Sequence, residues 1–466
     1  MPPSPDQVLT VAQMRAAEDA LIAAGSSVDA LMQIAGRGAA EYVWRAAAHR
    51  PVTVLCGPGN NGGDGYVIAE AIRERGGKVR IVAATEPKTD AARNARALYG
   101  GEVLGPSADP HGEVLVDCLF GSGLTRPLSD DHAALLGRLV AGHRHAIAVD
   151  LPSGVQSDTG ALLGEGLPQF DLTIALGAWK YAHFLMPASA TMGAQRLVLI
   201  GCEAIAGAAQ TIAQPSITPP TADAHKYRRG LLGVVAGDMP GAALLAARAA
   251  QGAGAGYVKL LSELPTEVEA DLVREAAPLA DALTDKRWSA LLVGPGLGRH
   301  AEARERLATV LAAQVPTVLD ADALVLLGRH SLAERTAAVI ATPHEGELAA
   351  LEAAFGCSGQ GSKADRALAL AQTSGMVIVA KGPDTVVAAP DGRVALGPRA
   401  TSWLSTAGTG DVLAGTMASR LAAGSDAFAA AGEGVWLHGE AARLAGPAFA
   451  AGDLARHIRS AFAACL

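Results

Sequence analysis

The chain has 466 residues, half of them hydrophobic, 18% charged and only 4% aromatic. That length suggests two or three domains, with cores filled by Ala, Val and Leu. A formal net charge of −8 without a long basic run argues against nucleic acid or an acidic membrane surface as partner, and no uncharged apolar run is long enough to span a bilayer.

The first ten residues lack the basic-then-apolar order of a signal peptide. Residues 11–24 put Met14, Ala17 and Leu21 on one helical face and Arg15, Glu18 and Asp19 on the other. A second helix is expected over residues 28–48, carrying Leu31, Ile34 and Ala35. Residues 52–56 read as a strand, 57–65 as a Gly/Asn-rich loop, 66–75 as a helix and 78–83 as the next strand. This order implies a parallel α/β unit that binds ligands at the carboxyl ends of its strands. Gly57, Gly59 and Gly62 match the dinucleotide fingerprint, with Glu86 loosely placed for a ribose contact. Asn60, Asn61 and Asp64 among those glycines are unlike an ordinary Rossmann turn. They add amide oxygens and a carboxylate, so the loop can face a phosphate and also hold a cation.

Two further strands end alike. Residues 114–117 run into the small-residue loop 121–127, and 145–149 run into Asp150-Leu151-Pro152-Ser153-Gly154. Asp117 and Asp150, beside an Asn-rich loop, read as a cluster of hard oxygen ligands. Strands are expected at 171–176 and 197–200, and Lys180 and His183 between them read as surface groups. The cysteines (Cys56, Cys118, Cys202, Cys357 and Cys465) are scattered, with no C-x-x-C. They fit a reducing cytoplasm and offer no zinc pattern.

This half resembles the NAD(P)H-hydrate epimerases. The carriers are Asn60-Asn61-Gly62-Gly63-Asp64-Gly65, Asp117-x-x-Phe120-Gly121-Ser122-Gly123, Val149-Asp150-Leu151-Pro152-Ser153-Gly154 and Leu31-Met32-x-x-Ala35-Gly36. They span about residues 10–202. The resemblance implies a Rossmann-like three-layer α/β domain over residues 1–210, with K+ held by Asn61, Asp117 and Ser153. Substrate contacts would come from Asn60, Asn61, Gly62, Gly63 and Asp64, then Gly121, Ser122, Gly123, Leu124, Thr125, Arg126 and Pro127, and from Asp150. Hydrated NADH carries a hydroxyl on a saturated ring carbon next to the ring nitrogen. That centre inverts through an iminium or by ring opening, and either route needs an acid/base group. Asp150 is the candidate.

Residues 203–225, rich in Ala, Thr and Pro, join the halves, with the linker set at 211–225. Strands are then expected at 231–236, 257–261, 291–293, 317–319, 339–341 and 376–380. Their loops carry Asp238 and Ala242, Gly294 to Gly298, Asp320 and Asp322, His344 and Glu347, and Lys381 to Thr385. A hairpin over 386–396 turns at Asp391-Gly392. Gly408-Thr409-Gly410-Asp411 then opens a helix. Its glycines can aim successive N–H groups at one point, and the helix start adds positive charge, so the spot favours a phosphate. Asp411 in the first turn can take a proton from a hydroxyl. Gly, Asp, His and Lys recurring at one end of successive strands read as a nucleotide-type site along a sheet edge.

This half resembles the ADP-dependent NAD(P)H-hydrate dehydratases, within the ribokinase-like superfamily. The carriers are His225-Lys226, Pro240-Gly241-Ala242, Gly294-Pro295-Gly296-Leu297-Gly298, Asp320-Ala321-Asp322-Ala323-Leu324, Thr342-Pro343-His344-x-Gly346-Glu347, Lys381-Gly382-x-x-Thr385 and Ala407-Gly408-Thr409-Gly410-Asp411. Val325 stands where many relatives have Asn. The resemblance implies a ribokinase-like α/β domain over 226–466. Ala242, Gly298, His344 and Asp411 would contact the hydrate; Lys381, Gly382, Pro383, Asp384, Thr385 and Gly410 would contact the adenine nucleotide. The implied route moves the terminal phosphoryl of ADP to the ring hydroxyl, with Asp411 as base. Elimination then gives NAD(P)H, AMP and phosphate. Mg2+ is expected with the nucleotide, although no motif names its ligands.

Together the halves imply a cytoplasmic, homo-oligomeric repair enzyme. One domain would interconvert the R and S hydrates and the other would return the S form to NAD(P)H. The alternatives are a ribokinase-type small-molecule kinase, a non-catalytic nucleotide-binding scaffold, and an NAD-dependent dehydrogenase built on Gly57, Gly59 and Gly62. The last leaves the Asn60-Asn61 pair unexplained.

Overall fold

The computed structural model describes residues 5–466, and the chain divides into two compact units, Met1–Gln210 and Thr211–Leu466. The first contains β1 (Gln7–Leu9), α1 (Val11–Ala23), α2 (Val28–Ala47), β2 (Val52–Cys56), α3 (Asn60–Glu74), β3 (Val79–Ala83), α4 (Asp90–Leu98), β4 (Glu102–Leu104) and β5 (Gly112–Cys118). Then come α5 (Asp130–Ala141), β6 (His143–Val149), β7 (Leu172–Leu176), β8 (Trp179–Lys180), β9 (Ala194–Val198) and β10 (Ala209–Thr211). Seven strands lie in the order β4-β3-β2-β5-β6-β7-β9, with every neighbouring pair parallel. Alternate residues of the strands face opposite layers. Val54, Val116 and Ile147 pack with α1 to α4, whereas Leu55, Leu115 and Ala148 pack with α5. Both faces are thus covered, which is why these strands are near-continuous apolar runs. Strand order reverses between β2 and β5, the place where such sheets open a ligand crevice. Leu55 pairs with Asp117 and Cys56 with Cys118 there.

One boundary differs from the sequence reading. The stretch read as a loop up to Gly65 is already helix, because α3 starts at Asn60 after Gly59. Asn and Gly are poor helix formers, and close packing overrides that. A Cβ on Gly62 would run into the Gly57 carbonyl, one on Gly63 into Met32, and one on Gly65 would stand 2.7 Å from the Cys56 sulfur. Only bare backbone lets α3 lie this close to β2 and β5. The last strand also comes earlier than read, as β9.

The second unit contains β11 (Leu231–Val235), α6 (Pro240–Gly252), β12 (Tyr257–Leu261), β13 (Val273–Glu275), α7 (Leu279–Ala282), β14 (Trp288–Val293), α8 (Ala301–Ala312), β15 (Thr317–Leu319), α9 (Asp322–Leu326) and β16 (Val339–Ala341). It continues through α10 (Glu345–Phe355), α11 (Lys363–Ser374), β17 (Val377–Ala380), β18 (Val386–Ala388), β19 (Val394–Leu396), α12 (Thr409–Ala422), α13 (Ala427–Ala445) and α14 (Ala451–Ala463). Its strands run β13-β12-β11-β14-β15-β16-β17-β18-β19. They are parallel up to β17 and antiparallel through the closing hairpin. Small residues let the helices approach: Ala243, Ala246, Ala247 and Ala250 of α6 are fully buried, and a Cβ on Gly415 of α12 would strike the Ala246 carbonyl. The stretch 211–225, read above as a linker, packs on this unit. Ile212 N–H donates to the Leu396 carbonyl (2.8 Å) and Ile217 N–H to that of Cys465 (2.9 Å), and both side chains are buried. Among the described residues no helix is long and apolar enough to cross a membrane.

Candidate functional site

In the first unit the carboxyl ends of β2, β5, β6 and β7 converge. Asp150 follows β6 in the left-handed region, with φ +64°, a conformation that costs an L-residue roughly 1–2 kcal/mol. Its N–H donates to the Ile174 carbonyl (2.7 Å) and its own carbonyl accepts from His183 Nε2 (2.9 Å). The carboxylate is held on both oxygens. Oδ2 accepts the Ser122 N–H (2.9 Å), and Oδ1 accepts from the Lys180 ammonium (2.5 Å). That ammonium also donates to the Leu176 carbonyl (2.5 Å). Burial pushes the Asp150 carboxyl up, but the Lys180 charge and hydrogen bond, with the Ser122 N–H, outweigh it and hold it below the usual range.

Lys180 and His183, read above as surface groups, are each only 1% exposed. The β7–β8 turn folds them under Asp150, a placement with no local sequence signal. Burial, then the Lys180 charge, takes His183 down to about 4. Its Nδ1 accepts the Lys180 N–H (2.9 Å), so the ring proton sits on Nε2.

Asp117, at the end of β5, is fully buried. Oδ1 accepts from the Leu119 N–H (3.0 Å) and the Ser153 hydroxyl (2.8 Å), and Oδ2 accepts the Ser153 N–H (3.0 Å). Burial lifts its carboxyl to about 6 against these bonds. Asn61 is the unsatisfied member: its amide oxygen and nitrogen are both buried with no hydrogen-bond partner. A Cβ on Gly121 would stand 3.0 Å from Asp150 Oδ2 and 3.3 Å from Asn61 Oδ1, so the glycine is what lets the two groups share one space. Asp64, also buried, is raised well above the ordinary carboxylate range by burial, and then by the charges of Asp150 and Glu18. Asn60, Gly62 and Gly63 complete the first turns of α3. Ser122 meets Asp150 through its N–H, while Gly123, Thr125, Arg126 and Pro127 lie exposed around half-buried Leu124.

In the second unit the ends of β15, β16 and β17 meet the start of α12. Asp320 Oδ1 accepts from Lys381 Nζ (2.7 Å) and the Thr342 hydroxyl (2.6 Å). Gly408, with φ +89°, begins α12, and a Cβ on Gly410 would stand 3.6 Å from Lys381 Nζ. Asp411 is half-buried. Burial first, then the Asp320 charge, raises its carboxyl to about 7, with Lys381 opposing. His438 of α13, which no motif marks, donates from Nε2 to the Thr409 carbonyl (2.9 Å). Burial takes it down to about 4.

The loop after β17 is braced from α11. Lys363 Nζ donates to Asp384 Oδ1 (2.5 Å) and to the Lys381 carbonyl (3.2 Å), and the Thr385 hydroxyl donates to the Gly382 carbonyl (2.9 Å). Pro383 lies between these anchors. Met239 N–H donates to the Gly296 carbonyl (3.0 Å), which sets the first turn of α6, with Ala242, beside the Gly294–Gly298 loop. Gly298 has φ +86°, and its N–H donates to Asp322 (3.0 Å). His344 is exposed, and its Nδ1 caps α10 by accepting from the Gly346 and Glu347 N–H groups (3.1 and 3.2 Å). Val325 is exposed. No group of three or more His, Cys, Asp or Glu side chains among the described residues is arranged to hold a metal. A hard cation would have to rest on amide, hydroxyl and carbonyl oxygens as well.

Fold and sites define a two-unit α/β protein with a candidate ligand site at the carboxyl edge of each parallel sheet. The first carries a hard-oxygen cluster, and the second a glycine-led helix start with a carboxyl group. A family model described as "YjeF-related protein N-terminus" matches residues 28–182, and one described as "NAD(P)H-hydrate dehydratase" matches residues 232–463. The chain is similar to the bifunctional NAD(P)H-hydrate repair enzyme Nnr of Thermosynechococcus vestitus, 33% identical over 95% of this chain and 94% of that one. Its counterpart in Mycobacterium leprae is 32% identical over 98% of this chain and 99% of that one. A solved structure of the ADP/ATP-dependent NAD(P)H-hydrate dehydratase from Bacillus subtilis, co-crystallised with ATP and Mg2+, is 29% identical. It has a TM-score of 0.47 and covers 54% of this chain and 95% of that one. The chain belongs to the family of bifunctional NAD(P)H-hydrate repair enzymes.

Proposed function

We propose that this chain repairs hydrated nicotinamide cofactors in two steps. The first unit interconverts R- and S-NAD(P)HX; the second dehydrates the S form to NAD(P)H at the expense of an adenine nucleotide, for which ADP is the expected phosphoryl donor. One observation carries the reading. Each unit sets a buried or half-buried Asp at the carboxyl edge of its parallel sheet within the field of a lysine, Asp150 with Lys180 and Asp411 with Lys381.

In the first site the bond between the ring carbon and its hydroxyl breaks, and water re-adds on the other face. Asp64, whose carboxyl burial raises well above the ordinary range, is suited to protonate the leaving hydroxyl. Asp150, kept ionised, is suited to stabilise the cationic ring and to take the proton of the incoming water. Asn61, Asp117 and Ser153 fit a potassium ion, because the buried Asn61 amide lacks any other partner. Held there, the ion would supply positive charge that offsets the Asp117 carboxylate. In the second site Asp411 accepts the hydroxyl proton. The N–H groups of Gly408, Thr409 and Gly410 and the Lys381 ammonium receive charge on the phosphoryl group. Phosphate then leaves in place of hydroxide while the adjacent ring carbon gives up a proton to solvent, which forms the ring double bond of NAD(P)H and leaves AMP and phosphate as the other products. Mg2+ is proposed to arrive on the nucleotide phosphates, since no carboxylate cluster among the described residues is arranged to hold it. A cytoplasmic homo-oligomer belongs to the same proposal; the five free thiols suit a reducing compartment.

The test uses purified full-length protein. With the R epimer alone and no nucleotide, S epimer forms faster than in buffer, and potassium accelerates the exchange. With mixed epimers, ADP brings full recovery of reduced-nicotinamide absorbance. Absence of both reactions refutes the proposal. ATP-dependent phosphorylation of small alcohols without dehydration would point to a kinase instead.

A further inference from the structure

Lys180 stands among the largest fully buried side chains of the molecule, in the company of Tyr66 and aliphatic residues. A buried ammonium is destabilising unless it is paired and hydrogen-bonded. Its contacts lead to one place. The ammonium bonds Asp150 Oδ1 and the Leu176 carbonyl, both at 2.5 Å. Its backbone N–H bonds His183 Nδ1 (2.9 Å), and the far nitrogen of that ring bonds the Asp150 carbonyl (2.9 Å). Backbone and side chain of Asp150 are therefore gripped by the same short segment. Other titratable groups in the Lys180 field are Asp64 from α3, Glu18 from α1 and the Cys202 thiol. Without Lys180, three carboxyl groups and a neutral imidazole would remain together.

We propose that Lys180 is the positioning residue of the epimerase site. Its ammonium, anchored on the Leu176 carbonyl, aims the Asp150 carboxylate, while His183 holds the Asp150 backbone in its left-handed turn. Lys180 acts only through Asp150 and touches no substrate. The assignment rests on the proposed role of Asp150 as the acid/base group.

A double-mutant cycle on the full-length protein tests it, reading S-epimer formation from pure R epimer without nucleotide. Nucleotide-dependent dehydration of the S epimer, carried by the other unit, checks that the rest of the chain is intact. Lys180→Met is expected to lower kcat for epimerisation about 100-fold with KM within about threefold, and Asp150→Asn to lower it further. The double variant is expected to match Asp150→Asn, because a residue that works through Asp150 has nothing left to position. Multiplied losses in the double variant overturn the assignment, as does a Lys180→Met kcat within about twofold of the parent. If Lys180→Met alone fails to fold, Asp150→Asn against the double variant decides: equal rates support the assignment and a further drop refutes it. Wild-type turnover by Asp150→Asn would remove the role given to Asp150, and with it that of Lys180.

Discussion

The two units hold the same pair of groups in opposite ways. In the first, Lys180 donates straight to Asp150, and the carboxyl stays below its ordinary range despite full burial. In the second, Lys381 gives its hydrogen bond to Asp320, and Asp411, left with only the field of that ammonium, rises to about 7. Both aspartates sit at the carboxyl edge of a parallel sheet with a lysine close by. What separates them is which carboxylate the lysine bonds, because a direct contact outweighs desolvation and a shared field does not. The first arrangement suits a carboxylate that must stay charged through a cationic step. The second suits a base poised near neutral pH.

The largest expected effects break the pair apart. Asp411→Asn is expected to lower nucleotide-dependent dehydration roughly 10²–10⁴-fold while epimerisation persists; Asp150→Asn does the reverse. Loss of both activities in either single variant would show that the sites are not separate. Stability should also diverge. Asp150→Asn leaves the Lys180 charge buried and unpaired, a loss of about 3–5 kcal/mol by denaturant titration.

The pH profiles sharpen the contrast. Dehydration is expected to rise with pH, half-maximal near 7, since Asp411 must lose its proton to act as base. Epimerisation should show no inflection there from Asp150. Asp320→Asn, which removes the charge that raises Asp411, should move the dehydration inflection down by roughly one pH unit; an unmoved inflection would remove Asp411 as its source.

The smallest effect is on melting. The folded-state carboxyl of Asp411 lies at about 7, against 3.8 for a free aspartate. Its contribution is therefore fully present below the lower value and lost as pH rises through the upper one. Asp411→Asn removes that loss. It should raise Tm by roughly a few degrees at pH 8 and leave it unchanged near pH 4.

Much of this was legible in the chain. A parallel strand announces itself as an apolar run, and the residues just after it are those at the ligand edge, so Asp117, Asp150, Asp320 and Lys381 could be placed by counting. Gly408 and Gly410 before Asp411 carried the helix start in the same way. What stayed hidden had no local pattern. Lys180 and His183 follow an ordinary strand and looked like solvated charge, until the β7–β8 turn buried them against a residue 30 positions earlier. His438 sits in an alanine-rich helix and meets Thr409 only because α13 crosses α12. The first turns of α3 read as loop from sequence, since Asn and Gly disfavour a helix on their own.

The alternation of strands and helices along the chain, the small-residue loops at the strand ends and the family were determined by the sequence alone, because each is written in contiguous residues. The acidity of the two aspartates was decided by the tertiary structure. Electrostatics falls off over a few ångströms in space, and the lysines that set it are distant in the chain.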